Sequence, residues 1–137
     1  MKTKALFFFA VILMTITIFS GCKKYDEGPA MSIHSKKARI ENLWRFEKVN
    51  DQSGGDMTAD YINITAEFKK NGDFIITDGT DTEAGMWELS SDKEDIILTN
   101  SDDGYIWKWH ITKLKNKEMW AKVFDGTDYT EFHLLPK

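Results

Sequence analysis

The sequence predicts an all-β fold: a small eight-stranded antiparallel up-and-down barrel with one short N-terminal helix. Three observations carry that prediction. From Trp44 onward apolar residues recur with a period of two, the spacing of strands that bury one face. The alternating runs are separated by short turn pairs, Asn71-Gly72, Asp78-Gly79, Asp103-Gly104 and Asp125-Gly126, which are hairpin signals. A meander with one wet face loses its exposed edges when it closes on itself, so a barrel is the expected arrangement.

Taken in order, residues 35–42 predict the helix, with Ser35 as its N-cap. Its apolar residues are too few to build a bundle. The first strand alternates Trp44 and Phe46 with Arg45 and Glu47. The second alternates Ile62, Ile64, Ala66 and Phe68 with Tyr61, Asn63, Thr65 and Glu67. Phe74 and Ile76 mark the third, Gly85, Trp87 and Leu89 the fourth, and Ile96 and Leu98 the fifth. The sixth puts Tyr105, Trp107, Trp109 and Ile111 on one face and Ile106, Lys108, His110 and Thr112 on the other. Met119, Ala121 and Val123 belong to the seventh, and residues 129–135 to the eighth. Lys115, Asn116 and Lys117 make a short polar turn between the sixth and seventh. Only the segment from Asn50 to Asp60 is long, and it reads either as a lid at the barrel opening or as a surface excursion.

The chain of 137 residues has room for one domain, preceded by a segment of different character. Lys2 and Lys4 precede residues 5–19, which carry no charge and are apolar except for Thr15 and Thr17. A bilayer span takes about 20 apolar residues, so this shorter run reads as a signal peptide. Phe19-Ser20-Gly21-Cys22 resembles a bacterial lipobox, with Phe19 where Leu is usual. That resemblance makes Cys22 the lipid-bearing first residue of the mature protein. Acyl chains such as palmitate contribute about 0.8 kcal/mol per buried methylene, and several together anchor stably. Lys24, Asp26 and Glu27 resemble the Lys-plus-acidic tag of outer-membrane lipoproteins in Bacteroidetes-type bacteria; an ordinary charged tether is the other reading. The expected organisation is a signal peptide at 1–21, an acylated tether at 22–34 and a barrel domain at 35–137.

The net charge of −4 becomes −6 once the two leader lysines are removed, which argues against a nucleic-acid partner. One cysteine excludes a disulfide framework. Asp78-Gly79-Thr80-Asp81 recurs as Asp125-Gly126-Thr127-Asp128, but neither copy fits a calcium loop, and Asp-Gly is a turn pair first. His34, His110 and His133 are far apart, and no nucleophile–base or phosphate-cradling motif occurs. No catalytic residue, metal ligand or cofactor is expected beyond the covalent lipid on Cys22, and the chain is not read as an enzyme.

Residues 41–135 resemble the lipocalin-like domain of small Bacteroidetes-type bacterial lipoproteins. The resemblance rests on Leu43-Trp44, on the hairpin Phe68-Lys69-Lys70-Asn71-Gly72-Asp73-Phe74, on Gly85-Met86-Trp87-Glu88-Leu89, and on Tyr105–Ile111 followed by Lys113-Leu114. The Gly-x-Trp opening of lipocalins proper is not present, because Asn42 stands two residues before Trp44. The resemblance implies a lipid-anchored outer-membrane protein, at the periplasmic face or the cell surface. Trp44, Phe46, Phe68, Phe74, Trp87, Tyr105, Trp107 and Trp109 are the candidate barrel interior. They would line a site for a small apolar ligand at the barrel mouth. The alternative is a barrel filled by these same side chains, which presents its loops to another envelope component. Short strands and bulky residues favour filling. The chain is expected to be a monomer.

Overall fold

Residues 34–137 are those described by the structure, a computed structural model. The predicted signal peptide, Cys22 and nearly all of the tether lie outside them.

Ser35 starts the first element. Its hydroxyl accepts the Ala38 N–H at 3.1 Å, satisfying one of the donors that a helix start leaves unpaired. Helix α1 spans Lys36–Ile40 and ends by burying Ile40 completely. The Ile40 carbonyl accepts the indole N–H of Trp44 at 2.8 Å, and Arg39 donates to the Leu114 carbonyl at 3.1 Å. The helix is thereby fastened over one end of the strands.

The strands are β1 (Leu43–Asp51), β2 (Ile64–Phe68), β3 (Asp73–Asp78), β4 (Asp81–Leu89), β5 (Asp95–Asn100), β6 (Ile106–Lys115), β7 (Glu118–Asp125) and β8 (Asp128–Pro136). Each pairs antiparallel with the next, and β8 returns to β1. The protein is a closed eight-stranded up-and-down β-barrel with one short helix. α1 shares its end with the β2–β3, β4–β5 and β6–β7 connections; the β1–β2, β3–β4, β5–β6 and β7–β8 connections form the opposite, loop end.

Two bulges depart from the strict alternation that the sequence predicts. In β1, Phe46 pairs with Leu134 and Lys48 with His133, leaving Glu47 as the extra residue. In β6, Ile111 pairs with Ala121 and Lys113 with Trp120, leaving Thr112 extra. Each bulge shifts the inward phase by one residue. Val49 and Leu114 therefore turn inward and are completely buried, whereas Lys48 is exposed and Lys113 is covered without turning inward. Lys113 stays on the outer wall, its ammonium 4.1 Å from the Trp120 ring centroid and 3.0 Å from Glu118 Oε1.

The hairpins refine the turn expectation. Asp78 pairs with Asp81 and Asp125 with Asp128, so the two-residue loops are Gly79-Thr80 and Gly126-Thr127. Gly79 (φ +59°) and Gly126 (φ +63°) take the left-handed position while their threonines do not, as in a II′ turn. The second strand is also shorter than expected. Ile62, read as its first inward residue, is 75% exposed and ends a 3₁₀ turn at Thr58–Tyr61. The chain is still crossing the loop end there, and strand pairing begins only at Ile64.

Candidate functional site

Six of the eight candidate interior residues converge along the barrel axis. Trp44, Phe46, Phe68, Phe74, Trp87 and Trp109 are all buried. Near α1, the Trp87 indole N–H donates to the Lys69 carbonyl at 3.0 Å, and its ring meets Phe68 edge-on at 5.5 Å. Phe68 in turn meets Trp109 at 5.6 Å. Trp109 continues the column to Phe132 at 5.5 Å and Phe46 at 6.2 Å. These are edge-to-face contacts, each worth about 0.5–1.5 kcal/mol beyond area burial. The rings read as lining a cavity touch one another.

The long β1–β2 connection seats on the loop end of this column. Val49 donates its N–H to the Thr58 hydroxyl at 3.0 Å and accepts the Met57 N–H at 2.8 Å. Tyr61 lies 5.4 Å from Phe46 and 5.5 Å from Phe132, and burial pushes its hydroxyl pKa up. Of the two readings left open for this segment, each fits one part: residues 57–61 seat on the column as a lid, while residues 52–56 are an exposed surface excursion. The Asp51 carboxyl is held below the usual range by the Ser53 hydroxyl and the Gly55 N–H. Asp56 is lowered likewise by the Thr58 hydroxyl and N–H.

Of the other two candidates, Trp107 packs against the edge of this core and Tyr105 lies outside it. Tyr105 is 65% exposed and precedes β6, which corrects its assignment to the interior. The alternation does reach it, but it precedes the first residue of β6, and its exposed ring stacks on Trp107 at 5.8 Å. Trp107 is half-buried, against Phe74 at 5.6 Å on its inner side. Both belong to an open cleft of about 480 Å³ beside β6.

Sequence reasoning missed Tyr61 and Phe132 as members of the column. Phe132 was legible as the inward partner of Leu134, two residues away in the last strand. Tyr61 was not, because a loop residue carries no periodicity. The loop end is uniformly acidic: residues 50–63, 77–84, 99–106 and 123–132 contain no Lys, Arg or His. Among the described residues, no group of three or more His, Cys, Asp or Glu is placed to hold a metal ion. Near β5, His110 Nδ1 lies 2.8 Å from Asp95 Oδ1, on the outer wall.

The site and fold together define a small closed up-and-down β-barrel with an aromatic column on its axis and an acidic loop end. Compared with models of known protein families and with curated proteins, the chain matches none.

Proposed function

We propose that this chain is a lipid-anchored outer-membrane lipoprotein of lipocalin-like build, a recognition module rather than an enzyme. In this reading the barrel is a filled scaffold that presents its loop end and outer wall to another envelope component. One observation carries it: Trp109 sits 3% exposed among Phe46, Phe68 and Phe132, with Tyr61 closing the column above. Side chains occupy the axis where an interior ligand would sit. The described chain begins at His34, beside α1, so a tether running back to Cys22 leaves from the end opposite the acidic loops. Acyl chains on Cys22 would hold the α1 end toward the membrane and leave the loop end facing away.

Fractionation of cells expressing the wild type and Cys22→Ser tests the anchor. The wild type is expected in the membrane fraction and the variant in the soluble one. A Cys22→Ser protein that still sediments with membranes would sink the proposal. Protease shaving of intact cells then assigns the face: cleavage in the loop end means surface display, and protection means the periplasmic side.

A further inference from the structure

The β6–β7 ladder stops halfway up the barrel. In β6 the Ile111 N–H donates to the Glu94 carbonyl at 2.8 Å, toward the β5 side, and the Tyr105 carbonyl accepts from Asn100 at 2.9 Å. By the alternation of antiparallel ladders, Trp107 and Trp109 turn their main-chain groups the same way, while Lys108 and His110 turn theirs toward β7. His110 pairs with Lys122, the last rung on the loop-end side; Trp109 has no partner at Val123, nor Lys108 at Phe124. From there β6 is held only by β5, and β7 only by β8 through Val123–Thr130, Phe124–Tyr129 and Asp125–Asp128. The β1–β2 ladder also stops short, and the lid segment packs against β1 there.

An open cleft of about 480 Å³ runs along the loop-end half of β6 at this seam, bounded by Phe124 of β7 on one side and Asp95 of β5 on the other. Tyr105, Ile106, Trp107, Lys108 and His110 line it as well. Tyr105, Ile106 and Phe124 are each more than half exposed, an apolar grouping uncommon on a free surface. The polar groups are unequal. Asp95 is already engaged by His110 at 2.8 Å. The Lys108 ammonium has no ion-pair partner among the described residues, and its main-chain groups turn toward β7 at a position where no rung is formed. Lys108 thus brings one positive charge to a cleft whose lining is part apolar and part polar. The acidic loops above, including Asp102, Asp103 and Asp125, disfavour a multiply charged anion by repulsion.

We propose that the β6–β7 seam binds a small amphipathic monocarboxylate. Its carboxylate sits on the Lys108 N–H and ammonium, and its apolar body lies between Tyr105, Ile106 and Phe124. The site lies beside the loop-end half of β6 and meets the buried aromatic residues at Trp107, which packs on Phe74. It does not depend on acylation of Cys22, so failure of the anchor leaves it standing and failure of the site leaves the anchor standing.

Equilibrium dialysis of the full chain in a non-ionic detergent tests it, with octanoate and 4-phenylbutyrate as probes and the corresponding primary alcohols as neutral partners. At least one acid is expected to bind saturably at one site, and the stronger of the two tells whether an alkyl or a ring-bearing body is preferred. The matching alcohol is expected to bind about tenfold more weakly, the worth of a charge-assisted hydrogen bond. Lys108→Gln should weaken the acid by about the same factor and leave the alcohol unchanged. Phe124→Ser should weaken both, with folding checked by a cooperative thermal transition. If Phe124→Ser does not fold, Tyr105→Ser, which lies outside every strand, carries the same test. No saturable binding above the detergent background, or acid affinity unchanged in Lys108→Gln, overturns the proposal. So does a dimer in sedimentation velocity that Phe124→Ser abolishes, because a second copy would then occupy the seam.

Discussion

Trp109 meets the ring of Phe132 edge-on, 5.5 Å away and tilted by 61°, between two strands that are not neighbours in the barrel wall. That contact crosses the interior, and it ties the sixth strand to the eighth through side chains alone. A barrel of eight strands is just wide enough for its own side chains to meet in this way.

Trp109→Ala is therefore expected to act as a core deletion. Truncating a buried tryptophan costs about 3–5 kcal/mol when the surroundings cannot collapse. Denaturant unfolding of the variant should show its midpoint shifted to match. A stability loss below about 1 kcal/mol would mean that the column was loosely packed and the axis open.

Gly85 has a different role in the same wall. A Cβ there would stand 2.0 Å from the Thr99 carbonyl and 2.7 Å from the Phe74 ring. Gly85→Ala must push β5 from β4 or displace Phe74, so the loss should reach or exceed the upper end of the ~1–3 kcal/mol usual for overpacking. Thermal melting reads this directly, and an unchanged transition temperature would contradict the close approach.

Thr112 occupies the β6 bulge with its hydroxyl buried and without a hydrogen-bond partner among the described residues. Thr112→Val removes that unsatisfied group at nearly constant shape. The variant is expected to gain about 1 kcal/mol. A loss of stability on denaturant unfolding would show that the hydroxyl is satisfied in solution.

The β1–β2 connection should loosen in acid. Asp51 is lowered by the Ser53 hydroxyl first and then the Gly55 N–H; Asp56 is lowered by the Thr58 hydroxyl and N–H. A carboxyl whose folded pKa lies below its unfolded value stabilises the fold above the unfolded pKa, here 3.8, and that stabilisation is lost as pH falls through the folded pKa. Glu118, lowered chiefly by its hydrogen bond from Lys113, adds a loss beginning below its unfolded value of 4.5. Carboxyl NMR titration should place all three midpoints beneath those reference values. Amide exchange of residues 52–61 is expected to speed up over the same interval, and midpoints at or above the references would refute the assignment.

Much of the fold was legible because its causes are local. The N-cap of Ser35, the glycine turns and the period-two burial of Phe68, Phe74 and Trp87 depend on neighbours within a few residues. The bulges at Glu47 and Thr112 were not legible, since nothing in either residue forbids regular pairing. They arise where β1 meets β8 and β6 meets β7, and each decides whether a lysine or an apolar residue turns inward. The candidate site divides the same way. Trp44, Phe46 and Trp109 followed from alternation, whereas Tyr61 enters the column from a loop and Tyr105, which precedes β6, lies outside it.

The sequence by itself determined that this chain is an all-β meander, where its turns fall, and which aromatic residues face inward. Alternation and turn chemistry are properties of short segments, and they survive without knowledge of the rest. Only the tertiary structure decided that the aromatics meet across the axis, that the long connection seats on them, and that the β6–β7 ladder opens into a cleft. Those outcomes depend on strand register around a closed ring and on the distance between opposite walls. No single segment encodes either quantity.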